Sequence, residues 1–236
     1  MPKLNWISDH HLTQAVQNIL IIAKKAKMDV SLNFGKNVVD PFSAIFEMAG
    51  FNLNYDNWIV SEEARQAQKT LQNFIGEFHQ IVLGSCAGWE DLKKGNIIDL
   101  LSHGNKVIAE VKNKYNTISG GKLAELYWSL EPAVMNKTSI YKGYTAYYVS
   151  IIPDKPGRYN KTFTPSNKEK GQKCPENNLI RQIDGASFYT LVTGEVNALQ
   201  NLFDVLPAVI SEISSINTLE KDKLRLLFTM AYGQPG

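Results

Sequence analysis

Residues 96–112 read NIIDLLSHGNKVIAEVK, and the reading of this stretch decides the fold. Asn96–Leu101 and Lys106–Lys112 are short runs rich in Ile, Leu and Val, the composition of strands. Ser102-His103-Gly104-Asn105 lies between them as a turn, because Gly tolerates positive φ and Ser and Asn hydrogen-bond to nearby backbone. An antiparallel hairpin is expected. Side chains alternate along a strand, so Val107, Ala109 and Val111 face one way and Ile108, Glu110 and Lys112 the other. Glu110 and Lys112 then project from one face about 6–7 Å apart. Asp99, between Ile98 and Leu100 on the preceding strand, is brought beside Glu110 by the turn. Two carboxylates and one lysine converge at the end of an otherwise apolar hairpin.

Upstream, residues 9–28 carry Leu12, Val16, Ile19, Leu20 and Ala23 at helical spacing behind Asp9, a candidate cap. Pro41 opens a short helix through Phe42, Ile45 and Phe46 that ends near Gly50. A longer helix is expected from Ser61 as its cap, with Glu62 and Glu63 at the positive end of the dipole. Its buried stripe is Ala64, Ala67, Leu71, Phe74, Ile75, Phe78 and Val82. Downstream, a helix over 122–130 is stopped by Pro132. YTAYYVSII at 144–152 and SFYTLVT at 187–193 read as strands, with a polar loop over 153–178 between them. Beyond Gly194 a last helix carries Leu199, Leu202, Phe203, Leu206, Ile210 and Ile213, and Pro207 should bend it. Trp89, Trp128 and the Tyr144–Tyr148 cluster are expected in the core. The order implies an α/β or α+β domain with one mixed central sheet and helices packed around it. No composition shift marks a linker, so a single domain over 1–236 is expected.

The 236 residues are 44% hydrophobic and 20% charged, with 16 Gly and 9 Pro. Collagen, coiled coil and bulk disorder each need a far more biased mix. Cys86 and Cys174 form no CxxC pair and no disulfide framework. The start, MPKLNWISDHHLTQAV, lacks a signal-peptide pattern, and Ile19–Ala23 is too short to cross a bilayer. A soluble cytoplasmic protein with no membrane partner is expected. His10-His11, His79 and His103 show no metal-ligand spacing, no GxSxG is present, and Gly120-Gly121-Lys122 lacks the first half of a P-loop.

The hairpin cluster fits metal-assisted phosphodiester hydrolysis. Mg²⁺ takes one or two carboxylates and fills its shell with water and substrate phosphate, and a neighbouring lysine orients the water or stabilises the transition state. A bare [DE]xK tripeptide is common by chance. Asp91-Leu92-Lys93 is a second one, in a polar stretch with no strand pattern. The version at 110–112 has a β-rich strand and an acid eleven residues upstream. The bland alternative is an exposed cross-strand ion pair of little energetic worth.

Asp99 followed by Glu110-Val111-Lys112 resembles the signature of the PD-(D/E)XK nucleases, with Ile98 in place of that signature's proline. GEFHQIVLG at 76–84, IIDLL at 97–101, AEVKNKYNT at 109–117 and IDGASFYTLVTGEVNALQNLFDVLP at 183–207 are similar to one group of type II restriction endonucleases, those that cut GGNCC. The likeness covers roughly residues 60–210, leaving 1–60 as an N-terminal helical segment. It implies the PD-(D/E)XK α/β core, with a mixed sheet flanked by helices. It further implies Asp99 and Glu110 as metal ligands with Val111 in the metal set, Lys112 as catalytic lysine, and Glu77 as a helical acid assisting the site. Mg²⁺, double-stranded DNA and 5′-phosphate ends follow from the same resemblance. A two-fold symmetric site cut on both strands implies a homodimer.

Charge is concentrated near the second expected strand pair. Residues 155–173 hold Lys155, Arg158, Lys161, Lys168, Lys170 and Lys173 against Glu169, a net of +5 in a chain of net +2. Such a segment suits DNA phosphates. Only four arginines exist, and Arg158 and Arg181 lie in or beside this segment, which makes them the candidates for guanine readout. Asn113, Lys114 and Asn116 follow the catalytic strand and are placed to touch the DNA backbone. Three alternatives stay open: a structure-specific repair or junction nuclease of the same core, a DNA-docking module without catalysis, and a scaffold with an accidental motif.

Overall fold

The structure is a computed structural model that describes residues 2–34, 39–93, 98–167, 171–214 and 219–233. Asn96 and Ile97 of the first hairpin strand, and Lys168, Glu169 and Lys170 of the basic segment, lie outside the described residues. Contacts group the chain into two compact units, Met1–Val16 with Gly76–Gly236, and Gln17–Ile75.

Helix α1 (Asp9–Asn33) outlasts its expected end. Its cap is Ser8, whose Oγ accepts the His11 N–H at 3.2 Å. Asp9, expected in that role, accepts the Lys3 N–H at 2.8 Å. Helix α2 (Pro41–Gly50) is capped by Asp40, which accepts from the backbone N–H groups of Phe42 and Ser43. Helix α3 (Tyr55–Gly84) starts ahead of the expected Ser61 because Asn54 Oδ1 accepts the Asn57 N–H at 2.8 Å. Ser61 is therefore interior. Glu62 is buried and paired with Arg65 at 2.5 Å instead of facing a dipole end. Ala64 is exposed, so the stripe is fully buried only near Phe78 and Val82.

Strands β1 (Glu90–Asp91), β2 (Leu100–Ser102) and β3 (Val107–Lys114) are antiparallel neighbours. The hairpin forms as expected, with Lys106 supplying a positive φ of 51° in its turn. Asp91 sits in a strand, contrary to the expectation for that tripeptide. After helix α4 (Gly120–Met135) comes β4 (Thr145–Ile152), parallel to β3. The excursion that follows holds β5 (Asn160–Thr162) and a separate two-stranded ribbon, β6 (Ser166–Asn167) with β7 (Gln172–Lys173). Strand β8 (Ile180–Asp184) then joins parallel to β4, giving the order β1-β2-β3-β4-β8-β5. Helices α5 (Gly185–Thr193), α6 (Ala198–Ser214) and α7 (Lys221–Tyr232) close the chain. The result is a mixed α/β sheet flanked by helices, consistent with a restriction-endonuclease-like fold.

Two segments differ from the sequence reading. SFYTLVT is helix α5, not a strand: Asp184 Oδ1 caps it through the Ser187 N–H, and Gly194 ends it at φ 77°. Phe188, Tyr189 and Val192 are buried at helical spacing, so packing overrides β propensity. Helix α4 runs through Pro132. The missing N–H is tolerated because the buried stripe Ala124, Tyr127, Leu130 and Val134 continues across it. Pro207 lies inside α6.

One face of the sheet buries Ile108, Ala146 and Ile180 in a cluster with Tyr127 and Leu130. On the other side Trp89 and Tyr147 meet Phe188 at ring-centroid distances of 5.6 and 6.0 Å. Trp128, expected in the core, is 41% exposed. A side chain at Gly185 would strike the backbone of Ile151, so only glycine lets α5 begin directly against β4.

Candidate active site

Register sets the site. Leu100 pairs with Ala109, which puts Asp99 beside Glu110 just ahead of β2. Glu110 pairs with Tyr148 and Tyr148 with Gln182, while Lys112 pairs with Ser150 and Ser150 with Asp184. A polar set therefore crosses the C-terminal ends of the three parallel strands, on the same face as the Ile108–Ala146–Ile180 core.

Backbone and side chain hold Asp99 in place. Its N–H donates to the Ala109 carbonyl at 2.9 Å, and its Oδ2 accepts the Val111 N–H at 2.7 Å. Lys112 Nζ lies 2.5 Å from Glu110 Oε1. Glu110 Oε2 is buried without a hydrogen-bond partner. Burial raises the pKa of Glu110, and the neighbouring Asp99 charge raises it further. Burial also raises Asp99, against the opposing pull of the Val111 N–H and Lys112, while Asp91 adds to the rise. Burial pulls Lys112 down, but its hydrogen bond to Glu110 and the carboxylate charges around it leave its pKa above the usual lysine value. Lys112 is a cation at neutral pH.

Two carboxylates brought together in a largely buried site are an incomplete electrostatic arrangement. A hard cation would complete it, and the unpartnered Glu110 Oε2 is an oxygen donor of the type Mg²⁺ takes. Among the described residues no group of three His, Cys, Asp or Glu side chains is placed to hold a metal. An ion held here would therefore draw on the two carboxylates, with neutral oxygens to supplement them. The Val111 carbonyl lies between the two functional side chains of β3 and accepts from Gln80 Nε2 at 3.4 Å.

The remaining expected residues fall in different places. Glu77 is half-buried on α3. Asn113 lies against α3, its Cβ 3.7 Å from where a Cβ on Gly76 would stand, with Oδ1 buried and unpartnered. Lys114 ends β3 half-buried, and Asn116 is exposed in the following turn. Lys155 is exposed. Lys161 is exposed and stands over the Tyr159 ring at 5.4 Å. Arg158 is exposed and donates to Thr190 Oγ1 at 3.0 Å and to the Val196 carbonyl. Arg181 donates to Asn160 Oδ1 at 2.6 Å and to the Asn160 carbonyl at 2.9 Å, fastening β5 to β8.

Three neighbours of the site escaped the sequence reading. Gln80 reaches the Val111 carbonyl, Asp91 adds negative charge next to Asp99, and Tyr148 lies beside Glu110 with its hydroxyl donating to the Tyr115 carbonyl at 3.4 Å. Tyr148 was legible only as core, and Asp91 only as part of a discarded tripeptide.

Residues 4–215 match the family model described as Eco47II restriction endonuclease. The chain is 49% identical to the type II restriction enzyme Eco47II of Escherichia coli, covering 99% of this chain and 100% of that one. It is 28% identical to the type II restriction enzyme Sau96I of Staphylococcus aureus, over 98% of this chain and 88% of that one.

Proposed function

The chain belongs to the Eco47II restriction endonuclease family and is a type II site-specific deoxyribonuclease, and from that premise we propose how and on what it acts. The proposal is Mg²⁺-dependent hydrolysis of double-stranded DNA at GGNCC-type sites by a cytoplasmic homodimer, leaving 5′-phosphate and 3′-hydroxyl ends. The observation that carries it is the meeting of Asp99, Glu110 and Lys112, with Glu110 Oε2 buried and unpartnered.

Asp99, Glu110 and the Val111 carbonyl would hold the ion. Bound there, Mg²⁺ supplies charge neutralisation on the phosphate and a more acidic attacking water. Lys112, kept protonated, is a fixed cation for a non-bridging phosphate oxygen and for the charge that grows on it. Water attacks phosphorus in line, the P–O3′ bond breaks, and the 3′ oxygen takes up a proton as it leaves. The Val111 N–H holds Asp99 oriented, and Gln80 steadies the Val111 carbonyl from α3. Glu77 on the same helix is proposed to assist through water. Lys155, Lys161, Lys114 and Asn116 are the proposed backbone contacts. Asn113 stays in the proposal as a further backbone contact, and Arg158 and Arg181, which also bond Thr190, Val196 and Asn160 at the surface, as the guanine readers.

Digestion of a plasmid of known sequence tests this, with wild type and Lys112→Ala in parallel and with Mg²⁺ or EDTA. Discrete fragments mapping to GGNCC, from wild type in Mg²⁺ alone, are expected, with Lys112→Ala slower by at least about 100-fold, the usual loss for one stabilising donor. Equal cutting by both proteins would remove Lys112 from the mechanism. Gel retardation without cleavage by wild type would favour the docking module.

A further inference from the structure

The N-terminal helices carry a surface that the catalytic reading does not use. Phe42, Ile45 and Phe46 on α2 are 73%, 60% and 75% exposed, at a spacing that puts them on one helix face. The opposite side is occupied: Ala44 is buried, and Glu47 accepts from Ser43 Oγ at 2.8 Å and Trp58 Nε1 at 2.9 Å. Glu47 is the one charged residue in PFSAIFEMAG, so the exposed face carries no charge. Phe51 and Tyr55, 70% and 64% exposed, extend the apolar surface around the corner into α3. Soluble monomers seldom leave apolar patches above a few hundred Å² uncovered.

We propose that this α2 face is where two copies of the chain pair. The inference rests on the reading of the enzyme as a homodimer and adds the surface to it. Four large aromatic side chains and one isoleucine at these exposures offer roughly 600–700 Å² per protomer, taking about 200 Å² for each aromatic. Two such faces bury about 1,300 Å², inside the range of stable specific interfaces. A two-fold axis brings each residue opposite its own copy's neighbours, which an uncharged face tolerates and a charged one resists. DNA is a poor occupant, because phosphate needs cations and this face has none among the described residues. Each chain brings one Asp99–Glu110–Lys112 set, so a second copy supplies the centre for the other strand.

Sedimentation of wild type and of the Phe42→Glu/Phe46→Glu double variant, with and without a GGNCC duplex, decides the matter. A wild-type dimer at micromolar concentration is expected. The variant should sediment as a monomer with unchanged far-UV circular dichroism, its dissociation constant raised at least about 100-fold, as for loss of an interface hot spot. Independently, Ile45→Cys under mild oxidation should give a disulfide-linked dimer, since the native Cys86 and Cys174 are buried. That arm decides the matter if the double variant misfolds. A dimer in both proteins, or a folded Ile45→Cys protein without crosslinks, overturns the α2 assignment and leaves the homodimer reading standing. A wild-type monomer, with or without DNA, overturns both.

Discussion

Glu110 is the residue on which burial and chemistry pull in opposite directions. Its carboxyl is desolvated, faces Asp99, and gains compensation from Lys112 on one oxygen alone. The alternation of side chains made Asp99, Glu110 and Lys112 legible in the sequence, because the hairpin turn leaves little freedom in register. Gln80 was not legible: helical period gives the face a residue occupies, not which strand carbonyl it reaches. The internal hydrogen bonds of Arg158 and Arg181 were equally hidden, since a cation in a basic segment looks the same whether or not it also bonds Thr190 or Asn160. At this scale a second prediction concerns His79. Its Nδ1 is 2.8 Å from the Tyr189 hydroxyl, and burial lowers its pKa to about 4. Burial holds the Tyr189 hydroxyl protonated, so the hydroxyl donates to a neutral ring. The unfolded chain binds the His79 proton below about pH 6.5 and the folded chain only near 4. Unfolding free energy is then flat with pH above 6.5 on this account and falls by up to about 3 kcal/mol as pH drops from 6.5 to 4. Urea unfolding of wild type and His79→Gln at pH 7.5 and 5 measures it, and the variant should lose this part of the slope.

Among the elements, the hairpin and β4 were readable because each repeats an apolar pattern over enough residues to be seen. Strand β8 was not, since Arg181 and Gln182 interrupt it. Strands β5, β6 and β7 are too short to show a period at all, which is why 153–178 read as a loop. Helix α5 was read as a strand from its aromatic and β-branched residues, while the information that decides its form sits at its ends, in Asp184 and Gly194. Asp184 is fully buried and accepts two backbone N–H groups, from Ser187 at 2.9 Å and Tyr159 at 2.6 Å. Asp184→Ala strands both donors and should cost about 2–4 kcal/mol, with Asp184→Asn recovering part of it, both read from urea midpoints. Leu130→Ala, at a site with no exposure on α4, should cost about 2–5 kcal/mol by the same measurement and leave the DNA site's chemistry intact.

For the whole molecule, exposed cations such as Lys155 and Lys161 carry the phosphate affinity on the proposed reading. Replacing Lys155 and Lys161 together by alanine should reduce the slope of log binding constant against log salt by about 2. Replacing Arg158 should act on stability more than on that slope, and a filter-binding titration across salt concentrations separates the two. Membership in the nuclease family was visible in the sequence, whereas the apolar α2 face was not: a helix stripe does not announce whether it meets its own chain or another. The hairpin has one more consequence, in the order of synthesis. Asp99, Glu110 and Lys112 lie within a short span of chain, and their turn closes at little entropic cost. Strand β8 and the Asp184 latch on Tyr159 follow some seventy residues later by sequence number. A ribosome-bound chain therefore carries all three of these groups well before the sheet that desolvates them exists. On the proposed assignment, cleavage competence would arrive only with the last third of the protein, and a truncated product would hold the full signature without a working site.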